Sequence, residues 1–452
     1  MYLGQLPMQQ SMSDRRDRRS VLRAGLACCS FGLAGCLDIV GDSGDDGSYA
    51  DGEADDTSEP PNGTDPVPNG TDGNGTDGNS SDPGDDDPPE PDPDPVTSWP
   101  MQQYDAQNTA AVPAPSPAGA ELDWQFETDS GIRSSPVVAD GIVYVGDKDG
   151  TVYAVGEDSQ THWKESVSGD KIDSTPAIYD DLLIVPFQTH LQAYDRFDGT
   201  EQWQYPSEYG VGELTVADDL VIFGDTTSRV QAVDAKSGEG EWTMPSGVYG
   251  SSYSEPPAVL AGEVIIPRSQ GAENDSHELS AIDIETGHRR PLVRTTDYDF
   301  QTGVSVSNDR VFVGANDGVH SFDSSGTEVG VFPTDRPIES GLAISDGTVL
   351  AMSTNQNSGT LYALDPSLGH QQWSVETNNS VNTGPVISGD CVLWGHYGPE
   401  IDSTLKAVEI ANGESAWSKT LDEISEYHQW AVARQRLYAA GSKGFIVALQ
   451  IQ

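Results

Sequence analysis

The chain has 452 residues, 73 of them acidic and 23 basic, for a formal charge of −50. So acidic a chain offers no basic stripe for phosphates, which excludes nucleic acid as its main partner. Three of its four cysteines, Cys28, Cys29 and Cys36, fall in the first 36 residues, which excludes a disulfide framework for the rest.

Residues 14–23 read Asp-Arg-Arg-Asp-Arg-Arg-Ser-Val-Leu-Arg, and an apolar run from Ala24 to Ala34 comes next. A charged start, a short apolar stretch and small residues at its exit describe a secretory signal, too short to span a bilayer. Within it, Arg18, Arg19 and the adjoining Ser-Val-Leu-Arg resemble a twin-arginine export motif. Leu33-Ala34-Gly35-Cys36 resembles a lipobox. The resemblance implies cleavage before Cys36, a lipid on its thiol, and anchorage to the outer face of the cell membrane. The alternative is a plain signal peptide cut nearby. Met12 serves as well as Met1 for a start, since the residues before it add nothing to the signal.

Residues 37–98 are mostly Asp, Gly, Pro, Asn, Ser and Thr, and residues 41–98 hold 18 acidic side chains and no Lys or Arg. Such a segment cannot bury enough surface to offset ordering entropy, and its like charges extend it, so it reads as a disordered acidic tether. Asn62, Asn69, Asn74 and Asn79 head N-glycosylation acceptors in it, and Asn274 and Asn378 head two more farther on. From Trp99 onward 52 acidic residues stand against 18 basic, a net of −34, with only 7 lysines. Such a coat suits a medium where salt screens charge over a few ångströms, and it is similar to that of proteins from salt-loving archaea.

Residues 99–120 form a lead-in, beginning Trp-Pro-Met-Gln-Gln-Tyr-Asp-Ala-Gln-Asn-Thr, expected to pack along the outside or one face of the folded body. Beyond it the sequence repeats. Trp124, Trp163, Trp203 and Trp242 recur every 39 or 40 residues, and Trp373 and Trp417 resume the series. Between them a phrase returns: residues 134–155, 174–194, 214–233, 255–282, 304–322, 342–364, 385–408 and 430–449. Each copy holds three short runs of Val, Ile, Leu and aromatics split by Asp-Gly or similar pairs, which are hairpin signals. The Trp-bearing stretch supplies a fourth strand. Four antiparallel strands per unit, eight units around an axis, give an all-β eight-bladed propeller over residues 121–452. Seven blades would remain if the fourth unit, stretched by Gln270–His277 and lacking a closing Trp, were irregular. The fifth ends on Phe332 instead. The last unit stops after three strands, so the spare strand Glu121–Glu127 is expected to complete it and close the ring.

A second phrase precedes each Trp: Ala193/Asp195/Gly199/Trp203, Ala232/Asp234/Gly238/Trp242, Ala363/Asp365/Gly369/Trp373 and Ala407/Glu409/Gly413/Trp417. It resembles the tryptophan docking motif of PQQ-repeat propellers, the quinoprotein alcohol dehydrogenases and the BamB-type outer-membrane assembly lipoproteins. The residue types suit that role: small Ala permits close approach, Asp caps the turn, Gly takes the tight φ, and Trp packs between blades. Cys28-Cys29 resembles the vicinal disulfide of some quinoprotein dehydrogenases, but its place inside the signal rules that out.

A PQQ enzyme would need a slot for the quinone ring, a calcium-type set of oxygens and a catalytic Asp. The candidates precede each innermost strand at one channel mouth: Arg133, Asp173, Glu213, Glu255, Glu339, Asn382 and His428. They are acidic enough to attract a cation but match no enzyme constellation. The eight histidines lack ligand spacing, and Asp147-Lys-Asp149-Gly150 reads as a hairpin turn, not a calcium loop, so no metal site or catalytic residue is expected. The sequence therefore points to a monomeric, non-enzymatic, surface-tethered scaffold that binds a protein and needs no cofactor. The alternatives are a PQQ- and calcium-dependent alcohol or sugar dehydrogenase, and an envelope-polysaccharide binder.

Overall fold

The computed structural model describes residues 98–227, 229–244, 256–269, 276–345, 347–355, 358–377, 380–381, 383–398, 401–421 and 427–451. The export motif at Arg18 and Arg19, the lipidation site Cys36, the tether but for Ser98, and all six glycosylation acceptors lie outside these residues. The described part is an eight-bladed β-propeller of four-stranded antiparallel blades. Blade 1 runs from Val137–Ala139 to Thr161–Ser166, blade 2 from Ala177–Tyr179 to Glu201–Pro206, and blade 3 from Leu214–Ala217 to Gly240–Met244. Blade 4 spans Ala258–Leu260 to Arg289–Thr295, blade 5 Phe300–Ser307 to Glu328–Pro333, and blade 6 Ala343–Ser345 to Gln371–Thr377. Blade 7 spans Val386–Ser388 to Ser415–Leu421. Blade 8 takes Tyr427–Ala433, Arg436–Gly441 and Phe445–Ile451, and its fourth strand is Ala120–Glu127. The N-terminal strand thus closes the ring, from Ala120 opposite Ile451 to Glu127 opposite Phe445.

The turn chemistry tracks the repeats. First and second strands are joined by tight pairs in the left-handed region, such as Asp140-Gly141 (φ +51° and +80°) and Asn308-Asp309 (+49° and +59°). Asn, Asp and Gly tolerate that region, and the resulting turn matches strand twist. The second and third strands supply the buried layers between blades: Val143, Val145, Val152 and Ala154 in blade 1 are all fully buried.

The lead-in does not lie along the outside. Ser98–Trp99 pairs with Val138–Ala139 of blade 1, and Ala111–Val112 runs parallel to Ile387–Ser388 of blade 7. Between these, backbone carbonyls accept from blade 2 (Ile178 N to Pro100 O, 2.8 Å), blade 4 (Val259 N to Ala106 O, 2.7 Å), blade 5 (Val306 N to Gln107 O, 2.8 Å) and blade 6 (Ile344 N to Thr109 O, 2.8 Å). So short a segment can reach six blades only where first strands converge on an axis. The lead-in is therefore a hoop inside the channel, at the end where first and second strands turn. Its sequence carries no period that could have shown this. The hoop holds its shape with Gln103, Tyr104, Asn108 and Ala110 at positive φ, and Asp105 accepts from the Gln107 and Thr109 amides.

Candidate functional site

Two arrangements were legible in sequence as chemistry-bearing: the docking phrase and the channel mouth. In the docking phrase, four Trp residues pack on the glycine of the next blade. A Cβ at Gly199 would lie 2.9 Å from the Trp163 ring, and Gly238, Gly287 and Gly413 stand likewise against Trp203, Trp242 and Trp373. All four glycines have φ between +69° and +78°. Each indole N–H then donates to the carbonyl one residue after the capping acid of that blade: Trp163 to Arg196, 2.9 Å; Trp203 to Ala235, 3.1 Å; Trp242 to Ile284, 2.8 Å; Trp373 to Ile410, 2.7 Å. Ala193, Ala232, Ala363 and Ala407 are fully buried at the close approach. Asp195, Asp234 and Asp365 accept amides at the turn, from Phe197, Ser237 and Ser367.

Two junctions lack a Trp, and sequence reasoning missed what replaces it. In blade 4, Arg290 pairs with Ala281 and stands where other blades carry Trp. It forks onto Glu263 at 2.8 and 2.5 Å and donates to Ser324 O at 3.2 Å, the same carbonyl position on blade 5 that an indole would reach. In blade 5 the register position is Gly330, opposite Ser321, and not Phe332, which lies two residues on and packs against Tyr362 with ring centroids 5.6 Å apart. There Arg310 donates to the blade 6 carbonyl, Pro366 O, at 3.0 Å. Gly369, facing this Trp-free junction, does not take the left-handed turn; Leu368 does, at φ +57°. The intact phrase Ala281-Asp283-Gly287, with an arginine just beyond it, was the available signal. Trp417 reaches the lead-in instead, donating to Pro117 O at 2.7 Å.

At the channel mouth the described candidates are spent on neighbours. Arg133 pairs with Asp173 at 3.1 Å, both partly exposed. Glu213 is buried and accepts the Thr175 amide at 2.8 Å, and the side-chain amide of Gln102 in the hoop turns to it. Glu339 is exposed and accepts from Thr354 at 3.4 Å. Glu255 and Asn382 lie outside the described residues. His428 sits on the first strand of blade 8, with its side chain outside the description. Among the described residues no three His, Cys, Asp or Glu side chains converge as a metal site. The hoop backbone crosses the axis toward the end where first and second strands turn, and its side chains reach back to this mouth. Asn108, buried, donates both amide protons across blades 4 and 5, to Pro256 O and Val304 O at 2.9 Å each. Burial raises the Asp105 carboxyl, against the lowering effect of the Thr109 hydroxyl and amide.

One histidine at this face couples to pH. His190 is buried against Asp170 at 3.3 Å and stacked on Phe187 at 4.7 Å, and its Nε2 has no partner. Burial lowers its pKa below 6.5, with Asp170 opposing. The unfolded chain therefore binds this proton more readily, and His190 contributes stability that is present above pH 6.5 and lost as pH falls through its folded value. Urea midpoints from pH 7.5 to 5 at constant salt should fall less steeply in His190→Gln than in the parent, and identical slopes would refute the assignment.

A family model described as outer membrane protein assembly factor BamB matches residues 108–326 and 315–452. A curated relative, the quinohemoprotein alcohol dehydrogenase ADH-IIG of Pseudomonas putida, is 24% identical over 192 residues, 42% of this chain and 22% of that enzyme. The match thus spans less than a quarter of the enzyme's length. Among solved structures, BamB from Moraxella catarrhalis superposes with a TM-score of 0.59 at 16% identity, over 74% of this chain and all of that one. The computationally designed Ika8 protein gives the same score, identity and coverage. The ADHIIG structure from Pseudomonas putida HK5 gives 0.59 at 15%, over 78% of this chain and 80% of that one. At these identities the likeness is one of fold.

Proposed function

Because the chain belongs to the family described as outer membrane protein assembly factor BamB, we propose that it is a protein-binding scaffold, exported and held at the membrane by a lipid on Cys36. The observation that carries this reading is the channel. A small ligand of a propeller sits near its axis, and here the chain's own hoop crosses that axis, its backbone carbonyls and the Asn108 side-chain amide protons bonded to the blades. What remains for recognition is the broad outer face and its loops. Crosslinked membranes at native salt, captured through the full chain, should yield one reproducible protein partner. Cys36→Ala should release the chain to the medium. Repeated capture of nothing specific would end the scaffold reading, and retention of Cys36→Ala at the membrane would end the anchor.

The likeness to a quinohemoprotein alcohol dehydrogenase supports a second reading, a PQQ- and calcium-dependent dehydrogenase of alcohols or sugars. The described mouth residues do not fit that group: Arg133 and Asp173 neutralise each other, and Glu213 is turned to a backbone amide and the hoop. The enzyme reading requires PQQ with calcium to raise the melting temperature and support dye reduction. The scaffold reading requires neither.

A further inference from the structure

On the face that blade 4 turns to blade 3, its second strand, Glu263–Ser269, sets Val264, Ile266 and Arg268 in one row. Val264 and Ile266 join the apolar layer between the blades. Arg268 ends the row with only 4% of its surface exposed. Register places it opposite Glu278 on the third strand, and Glu278 opposite Arg294 on the fourth. The Glu278 carboxylate, 1% exposed, accepts from Arg294 Nε at 2.9 Å, from Ser280 Oγ at 2.6 Å and from Arg289 Nη1. It is therefore spent on two other arginines, and Arg268 Nη2 is buried with no hydrogen-bond partner. Among the described residues this row gathers three guanidiniums about one carboxylate, inside a chain of net charge −50.

A guanidinium stays protonated at any working pH, so burial cannot neutralise it as it would a lysine. An uncompensated buried charge is among the costliest features a fold can hold. We infer that this row of blade 4 is an anion site, and that its occupant is a dianionic oxyanion, a phosphate or sulfate group, free or as an ester. Buried Arg268 and solvent-reaching Arg294 together offer more donors than a single halide can take, and a dianion's several oxygens can meet both. Arg294, its side chain 60% exposed, holds Glu278 through Nε and keeps its terminal nitrogens for a second acceptor. Planar guanidinium forks suit adjacent oxygens of such groups.

The test uses the full chain in molar potassium chloride, titrated with inorganic phosphate, inorganic sulfate or glycerol 3-phosphate and monitored by calorimetry and phosphorus NMR line width. The parent should show saturable binding to at least one of the three, weakened at least tenfold in Arg294→Gln and lost in Arg268→Met. Tighter binding of glycerol 3-phosphate than of phosphate would assign the site to an ester, and the reverse to a free anion. Arg268→Met should also keep or raise the melting temperature in chloride alone, because it removes an unmatched buried charge. A fall of several degrees there would mean that Arg268 is already matched within the chain, and the inference fails. It fails equally if no oxyanion saturates the parent. A uniform rise in melting temperature in parent and variant alike, the general effect of excluded salts, also counts against it.

Discussion

Replacing Ala120–Glu127 with a glycine-serine run of equal length should abolish cooperative unfolding of the whole ring. That strand carries Trp124, buried and tilted on Tyr438 at 6.0 Å, and Phe126, edge-on to Tyr153 of blade 1 at 6.0 Å. It therefore ties blade 8 to blade 1 as well as completing blade 8. Loss of a buried Trp alone costs about 3–5 kcal/mol, and a domain of this kind holds only about 5–15 kcal/mol in all. The exposed edge of Phe445–Ile451 would then be free to pair with another copy. Calorimetry should show a broad transition and light scattering should show growing mass. A single sharp transition at the parent's melting temperature would show that the ring does not depend on this closure.

The docking junctions should divide by the donor they use. Trp203→Ala removes an indole that both packs on Gly238 and donates at 3.1 Å, and should cost about 3 kcal/mol. Gly238→Val meets two penalties at once, a β-branched residue at φ +71° and a Cβ 2.6 Å from the Trp203 ring, together about 3–5 kcal/mol. Arg290→Ala should cost about 1 kcal/mol or less, because the Arg290–Glu263 fork is partly exposed, and that cost should shrink as salt rises. Chemical denaturation of the three variants at two salt concentrations checks the order. Equal costs at Trp203 and Arg290 would contradict it.

The contrast between these junctions shows what the sequence could reveal. Eight units were legible because each hairpin is written locally, in Asp-Gly pairs between β-branched runs, and the closing strand because Trp124 stood one period before Trp163. The Trp docking phrase was legible for the same reason. Arg290 was not, because its role is defined by a carbonyl on the next blade, Ser324 O, that no local pattern names. The hoop was hidden more deeply. Its contacts at Ile178, Val259, Val306, Ile344 and Ile387 are all made by backbone carbonyls, which any sequence supplies. At the mouth, residue type placed Arg133 and Asp173 side by side but could not say that they pair, nor that Glu213 would turn to the Thr175 amide.

The hoop also fixes an order of events. The polypeptide travels round its axis twice, first as a thin inner circuit of a residue or two per blade and then as the blades themselves. Ala110 waits for Ile387, synthesised most of a chain later, and Ala120 waits for Ile451. Part of the folded body made first thus waits on partners made last, although its bonds to blades 1, 2, 4, 5 and 6 need no later strand. Closure of such distant pairs is slow compared with the local hairpins of each blade. An incomplete chain therefore carries its own marker: until Phe445–Ile451 is made, Ala120–Glu127 has no partner strand, and once the ring shuts its backbone is paired along that edge.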